Sequence, residues 1–182
     1  FYENSRTYRD VLPSLPAAAV EDGGKIVFSP DARVDVARAV GYVTEAGVAY
    51  CAAPLRDTTP TARVEFWAVG MGCCAEQGTF ECDQVADTAA HAGIRVFDND
   101  GWFSNSNLDY YDKARQKAEA TFGMLSSGRA LYVRWVREDN LDMLAKHYQS
   151  RMIACMVVFI VLYGFASSAL AWTLYKPRGS PP

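Results

Sequence analysis

The sequence predicts an α+β fold: an antiparallel, β-rich domain with one amphipathic helix, followed by a single C-terminal transmembrane helix. Three observations predict it. Short runs of β-branched and aromatic residues recur between turn signals from Lys25 to Val136. Within that region Leu108–Leu125 shows apolar residues at helical spacing. Beyond it, Met152–Tyr175 holds 24 residues without a charged side chain.

Taken in order, residues 1–24 read as an irregular N-terminal segment, because Pro13 and Pro16 break helices and Gly23-Gly24 marks a turn. The β-rich domain covers residues 25–138. Lys25–Phe28, Val40–Val43 and Val48–Leu55 read as strands, and Arg63–Met71 (RVEFWAVGM) is the clearest one. Arg56–Ala62 can join the last two as a hairpin. Thr79–Cys82 and Ile94–Phe97 read as further short strands, the second stopped by Asp98-Asn99-Asp100-Gly101. In the helix, Leu108, Tyr111, Ala118, Phe122 and Leu125 form one face, Asp109 and Asp112 favour its positive N-terminus, and Ser106 or Asn107 can cap it. Leu131, Val133 and Trp135 alternate with Tyr132, Arg134 and Val136 in a last strand.

Residues 139–176 read as a juxtamembrane and transmembrane helix, with residues 177–182 as a C-terminal tail. At 1.5 Å per residue the uncharged segment spans about 36 Å, more than a hydrocarbon core. Arg151 and Lys176 bound it, and Trp172 and Tyr175 sit where aromatic side chains favour the interface. Leu141, Leu144 and Tyr148 extend the helical spacing toward Asn140. Arg137, Lys146 and Arg151 on one side against Lys176 and Arg178 on the other give no orientation. Gly164 and Ser168 are four residues apart, as are Ser167 and Ala171, a spacing that lets a second helix approach closely. A first residue of Phe1 rather than Met fits a removed leader or a trimmed sequence.

The net charge of −3 argues against a dedicated nucleic-acid binder. Five cysteines occur. Cys155 lies in the span and reads as an apolar filler. Cys51, Cys73, Cys74 and Cys82 are an even set, and neighbours on an extended strand point to opposite faces, so Cys73 and Cys74 should seek different partners. Two pairings remain, 51–73 with 74–82 or 51–74 with 73–82, beside the alternative of four reduced thiols. A four-cysteine zinc site is disfavoured because C-x-x-C knuckles are missing, and no metal ligand is assigned. The Asp98–Gly101 segment misses the end positions of a calcium loop and reads as a turn. With His91 and His147 as the only histidines, a histidine-based triad has little support. His147, close to the span, is a candidate ligand for a pigment or haem, beside the plainer reading of a hydrogen-bonded interface histidine; no cofactor of the chain's own is expected, other than chlorophyll or carotenoid at the membrane interface. Glu65, Glu81 and Asp83 read as a solvated sheet face, and no catalytic residue is assigned.

Glu65-Phe66-Trp67-Ala68-Val69-Gly70, then Cys73-Cys74, then Phe80-Glu81-Cys82-Asp83, with Tyr132-Val133-Arg134-Trp135-Val136 ahead of a C-terminal span, together resemble a multicopy family of dinoflagellate membrane proteins. The resemblance runs from about Tyr8 to the span and brings no catalytic residues. It implies an alga-like source with plastids. The expected function is therefore a non-catalytic accessory subunit of a membrane complex, with photosystem I and its antenna in the thylakoid as preferred host. Its partners would be the bilayer and other subunits, with Trp67 and Trp102 as interface anchors. The alternatives are a plasma-membrane or endomembrane ectodomain that binds an external ligand, and an enzyme on an unfamiliar scaffold.

Overall fold

The computed structural model of the chain describes residues 5–97, 107–141 and 143–175. The chain divides into two units, Phe1–Leu141 and Asp142–Pro182. The first is a mixed α+β domain. Its strands are β1 (Arg6–Val11), β2 (Gly23–Phe28), β3 (Arg33–Val34), β4 (Val40–Val43), β5 (Ala49–Arg56), β6 (Val64–Met71), β7 (Ala92–Arg95) and β8 (Ser126–Val136), with helix α1 (Asn107–Phe122) before the last. The second unit holds helix α2, Met143–Tyr175.

One eight-stranded sheet runs in the order β1-β2-β7-β8-β6-β5-β3, and β4 also pairs with β5. The antiparallel expectation holds for five pairings, including the β5–β6 hairpin, where Cys51 faces Gly70 and Pro54 faces Trp67. Two pairings are parallel, β1 with β2 and β6 with β8. The second needs a crossover, which contains α1.

Both faces of the sheet centre are covered. Against α1 lie Val40, Tyr50, Ala52, Val64, Trp67, Val69 and Tyr132, meeting Tyr111, Ala114 and Ala118 of the helix. The opposite face stacks Ile26, Phe28, Cys51, Ala53, Phe66, Ala68, Val133 and Trp135 beneath the loops that carry Phe80 and Cys82. Phe28 packs edge-on to Phe66 at 5.2 Å and lies 5.7 Å from Trp135. Burying one such ring contributes roughly 1.5–3 kcal/mol, so this aromatic stack is a main stabiliser of that face.

Several expectations need correction. Residues 1–24 are not wholly irregular: Arg6–Val11 forms the edge strand β1, and Ala17–Val20 a turn of 3-10 helix. Thr79–Cys82 is not a strand; it contributes one isolated bridge, Cys74 to Phe80. The chain there is held by side chains instead, with Thr79 Oγ1 accepting the Ala75 N–H at 2.8 Å. Leu125 lies beyond α1 and is 63% exposed, while Ala114 takes its place on the buried face. The first unit ends at Leu141 rather than at residue 138, because the 3-10 turn Glu138–Asn140 brings Leu141 into a buried position.

Candidate functional site

Two arrangements in the domain bring chemistry-bearing side chains together. The first is a disulfide centre on the sheet face opposite α1. Cys51, in the middle of β5, is bonded to Cys74, with Cα atoms 5.8 Å apart. Cys73 is bonded to Cys82 across nine residues, with Cα atoms 5.0 Å apart. The adjacent cysteines therefore do take different partners, in the second of the two pairings allowed by sequence.

The sheet makes room for these bridges with glycine. Gly41 on β4 and Gly70 on β6 flank Cys51 in register. A Cβ on Gly70 would lie 2.6 Å from Cys82 Sγ and 2.7 Å from Cys73 Sγ. A Cβ on Gly41 would lie 2.8 Å from the Ala75 carbonyl oxygen and 3.0 Å from Cys74 Sγ. The two bridges thus lie side by side over three strands. Their sulfurs converge: Sγ of Cys51, Cys73 and Cys82 all lie within 4.8 Å of one another. Convergence was not expected without C-x-x-C knuckles; here the fold supplies it. Each of these sulfurs is committed to a disulfide, and zinc binds thiolates, so holding a metal would first require reduction.

Past Cys82 the chain reverses at Asp83, whose positive φ of 52° an aspartate tolerates. Asp83 forms an ion pair with Arg134 of β8, which ties the bridged loop to the sheet. Asp83 is thus a structural carboxylate, and so is Glu65, which accepts the Ala17 N–H at 3.0 Å. Neither belongs to a solvated sheet face.

The second arrangement lies where α1 crosses β4 and β5. Tyr42 and Tyr50 are cross-strand neighbours. Tyr110 stacks on both, at 6.3 and 4.7 Å. Lys113 Nζ lies 5.4 Å from the Tyr42 ring centre and 5.2 Å from that of Tyr110, within cation–π range of both. These residues line an open cleft of about 510 Å³ with Thr44, Glu45 and Val48. Val43, Val48 and Met71 are exposed apolar side chains at this end of the sheet.

A polar network anchors the helix beside the cleft. Tyr132 Oη donates to Asp112 Oδ1 at 2.7 Å, Arg115 Nε donates to the same oxygen at 2.9 Å, and Gln116 donates to Oδ2 at 2.6 Å. Arg115 also donates to Glu119, which in turn accepts the Ser126 N–H. Burial pushes the Asp112 carboxyl up, but the hydrogen bonds from Tyr132 and Arg115 outweigh it and hold the group below its ordinary value. Burial, reinforced by the bond to Asp112, raises the Tyr132 hydroxyl. Burial first, with smaller contributions from Tyr50 and Asp83 and against the Arg134 charge, pushes Tyr111 up to about 12.

The other candidates are placed as follows. Trp67 is not an exposed anchor: it is fully buried under α1, and its Nε1 donates to Ser126 Oγ at 3.1 Å. Trp102 lies outside the described residues. His91 packs edge-on to Trp135, with Nδ1 3.2 Å from the Ala32 carbonyl oxygen. His147 stands on α2 ahead of the apolar segment. Within α2, Met152–Trp172 is long and apolar enough to cross a membrane, with a mean hydropathy of 2.3. Gly164, Ser167, Ser168 and Ala171 lie on it with their surfaces open. Sequence reasoning missed the glycine cradle and the tyrosine cleft. The signal for the cleft was present in Tyr42, Tyr50 and Tyr110-Tyr111, but only the β4–β5 register brings them together.

Comparison with protein-family models, curated proteins and solved structures finds no match for this chain.

Proposed function

We propose that the chain is a non-catalytic binding subunit of a larger membrane complex. Its domain would work from an oxidising compartment, where disulfides persist, while α2 fixes it to the bilayer. The observation that carries this reading is the tyrosine–lysine cleft on a membrane-tethered domain. Tyrosine supplies rigid, amphipathic contact area, Val48 adds an apolar side chain to the lining, and exposed Met71 lies beside Tyr50 in register. The ionisable groups beside the cleft serve the fold: Asp112 has both oxygens in hydrogen bonds that hold α1 to β8. The resemblance to the dinoflagellate family makes a plastid complex, photosystem I with its antenna, the first host to examine, and the thylakoid lumen the matching compartment.

The span contributes a second contact in this reading. Lipid tails are as apolar as leucine, so packing between helices depends on close approach at Gly164 and Ser168. Native gel migration after mild solubilisation tests the proposal. Wild type should co-migrate with a host complex. Tyr110→Ala with Lys113→Ala, and separately Gly164→Leu with Ser168→Leu, should each shift the chain toward the free fraction. A wild-type chain that runs only as a free 20.1 kDa species refutes it and favours an ectodomain that takes an external ligand in the same cleft.

A further inference from the structure

The two disulfides lie close against each other. Here three sulfurs from two bridges lie within 4.8 Å of one another, in a cradle that two glycines keep clear of side chains. The exposure is graded across the centre. Cys51 and Cys82 are buried, while Cys73 and Cys74 are partly exposed. Each bridge therefore has one outer and one inner sulfur. Thiolate attack on a disulfide requires access to a sulfur, and it releases the other sulfur of that bond as a new thiolate.

We propose that the disulfide centre is a thiol–disulfide exchange site, in which a small external thiol such as glutathione opens the Cys51–Cys74 bridge and the opening passes inward to Cys73–Cys82. The external thiolate bonds to Cys74 Sγ, and Cys51 leaves as a thiolate. Cys51 then attacks Cys73 or Cys82, forming Cys51–Cys73 and releasing Cys82, or forming Cys51–Cys82 and releasing Cys73. The proton lost by the external thiol ends on the released cysteine, and no net oxidation occurs in these two steps. A second external thiol that attacks the mixed disulfide at Cys74 leaves as the oxidised dimer. The chain has then gained two electrons and keeps one bridge. The three converging sulfurs make Cys51 the relay: its two possible targets belong to the same neighbouring bridge. This inference does not depend on the identity of any host complex.

Bridge mapping along a redox titration tests it. The full chain in mild detergent is equilibrated at rising ratios of reduced to oxidised glutathione, quenched in acid, alkylated and mapped without reduction. The expected result is a Cys51–Cys73 or Cys51–Cys82 peptide at the stage where one bridge has opened, with glutathione on Cys74. Native pairs alone at every stage would overturn the proposal, and so would non-native pairs that arise only with loss of native tryptophan emission. Cys74→Ser supplies the second arm, because it leaves Cys51 unpaired from the start. The bridge in that variant should be shared among Cys73–Cys82, Cys51–Cys73 and Cys51–Cys82; Cys73–Cys82 alone, with Cys51 fully alkylated, would equally overturn it. Four free thiols in the untreated chain would remove the centre itself, an outcome read separately from host binding on the native gel.

Discussion

Gly70→Ala adds one methyl group and should be among the most damaging small substitutions in the domain. The new Cβ would meet Cys82 Sγ at 2.6 Å, Cys73 Sγ at 2.7 Å and Cys82 Cβ at 2.7 Å. These atoms are not the free end of a flexible side chain; they belong to a bridge fixed at both Cα atoms. Either β6 shifts away from β5 or the bridged loop lifts off the sheet. Overpacking of this kind costs about 1–3 kcal/mol. For a domain of this size that corresponds to a fall in melting temperature of roughly 4–12 °C. Denaturation of the full chain in detergent, followed by tryptophan emission, measures it, since Trp67 and Trp135 are both buried in the domain. The same substitution in a Cys73→Ala/Cys82→Ala background should cost about 1 kcal/mol less, because the untethered loop can move. A Gly70→Ala chain with the wild-type midpoint would refute the cradle, and equal costs in both backgrounds would refute the role of the bridge.

Deleting the bridges in pairs should follow loop length: about 2.6 kcal/mol for Cys73→Ala/Cys82→Ala and about 3.4 kcal/mol for Cys51→Ala/Cys74→Ala by chain entropy, read from denaturant midpoints. Trp67→Ala should cost about 3–5 kcal/mol and lower the folded fraction before it alters any partner contact, a sequence that circular dichroism beside native gels resolves. Tyr132→Phe should cost about 1–2 kcal/mol through the lost bond to Asp112. Stability should also fall at alkaline pH. Tyr111 and Tyr132 have folded values raised above the unfolded 10.0, so their contribution is complete below pH 10 and is lost as pH rises from there toward 12. Unfolding midpoints that stay level from pH 9 to pH 11.5 would contradict this.

The sequence made the interior strands legible and the edges much less so. β5, β6 and β8 carry β-branched and aromatic runs because the core requires them. β1 reads RTYRDV, and most of its side chains are exposed, so no apolar alternation marks it; it is a strand because β2 offers it a free edge. The misplacement of Trp67 has a related cause. Alternation along a strand distinguishes core from solvent only when one face is wet. β6 is covered by α1 on one side and by the bridged loop on the other, so Phe66 and Trp67 are both buried although they point oppositely. The cysteine pairing was narrowed to two choices by strand geometry. The structure holds the second of them, with Cys51 in register between Gly41 and Gly70, and no local pattern encodes that register.

The order in which the chain is made gives the position of β8 a further meaning. Among the described residues β8 is the only strand that links β1-β2-β7 to β6-β5-β3, and it leaves the ribosome after all of them. Until it arrives, the earlier strands are two half-sheets, each with an open edge, at β7 and at β6. Such edges invite pairing with other chains. The next segment to emerge after β8 and its short turn is α2. Completion of the sheet therefore comes just before release of α2, the helix long and apolar enough to cross a membrane, and a nascent chain stalled before Ser126 presents the two half-sheets with both edges unprotected.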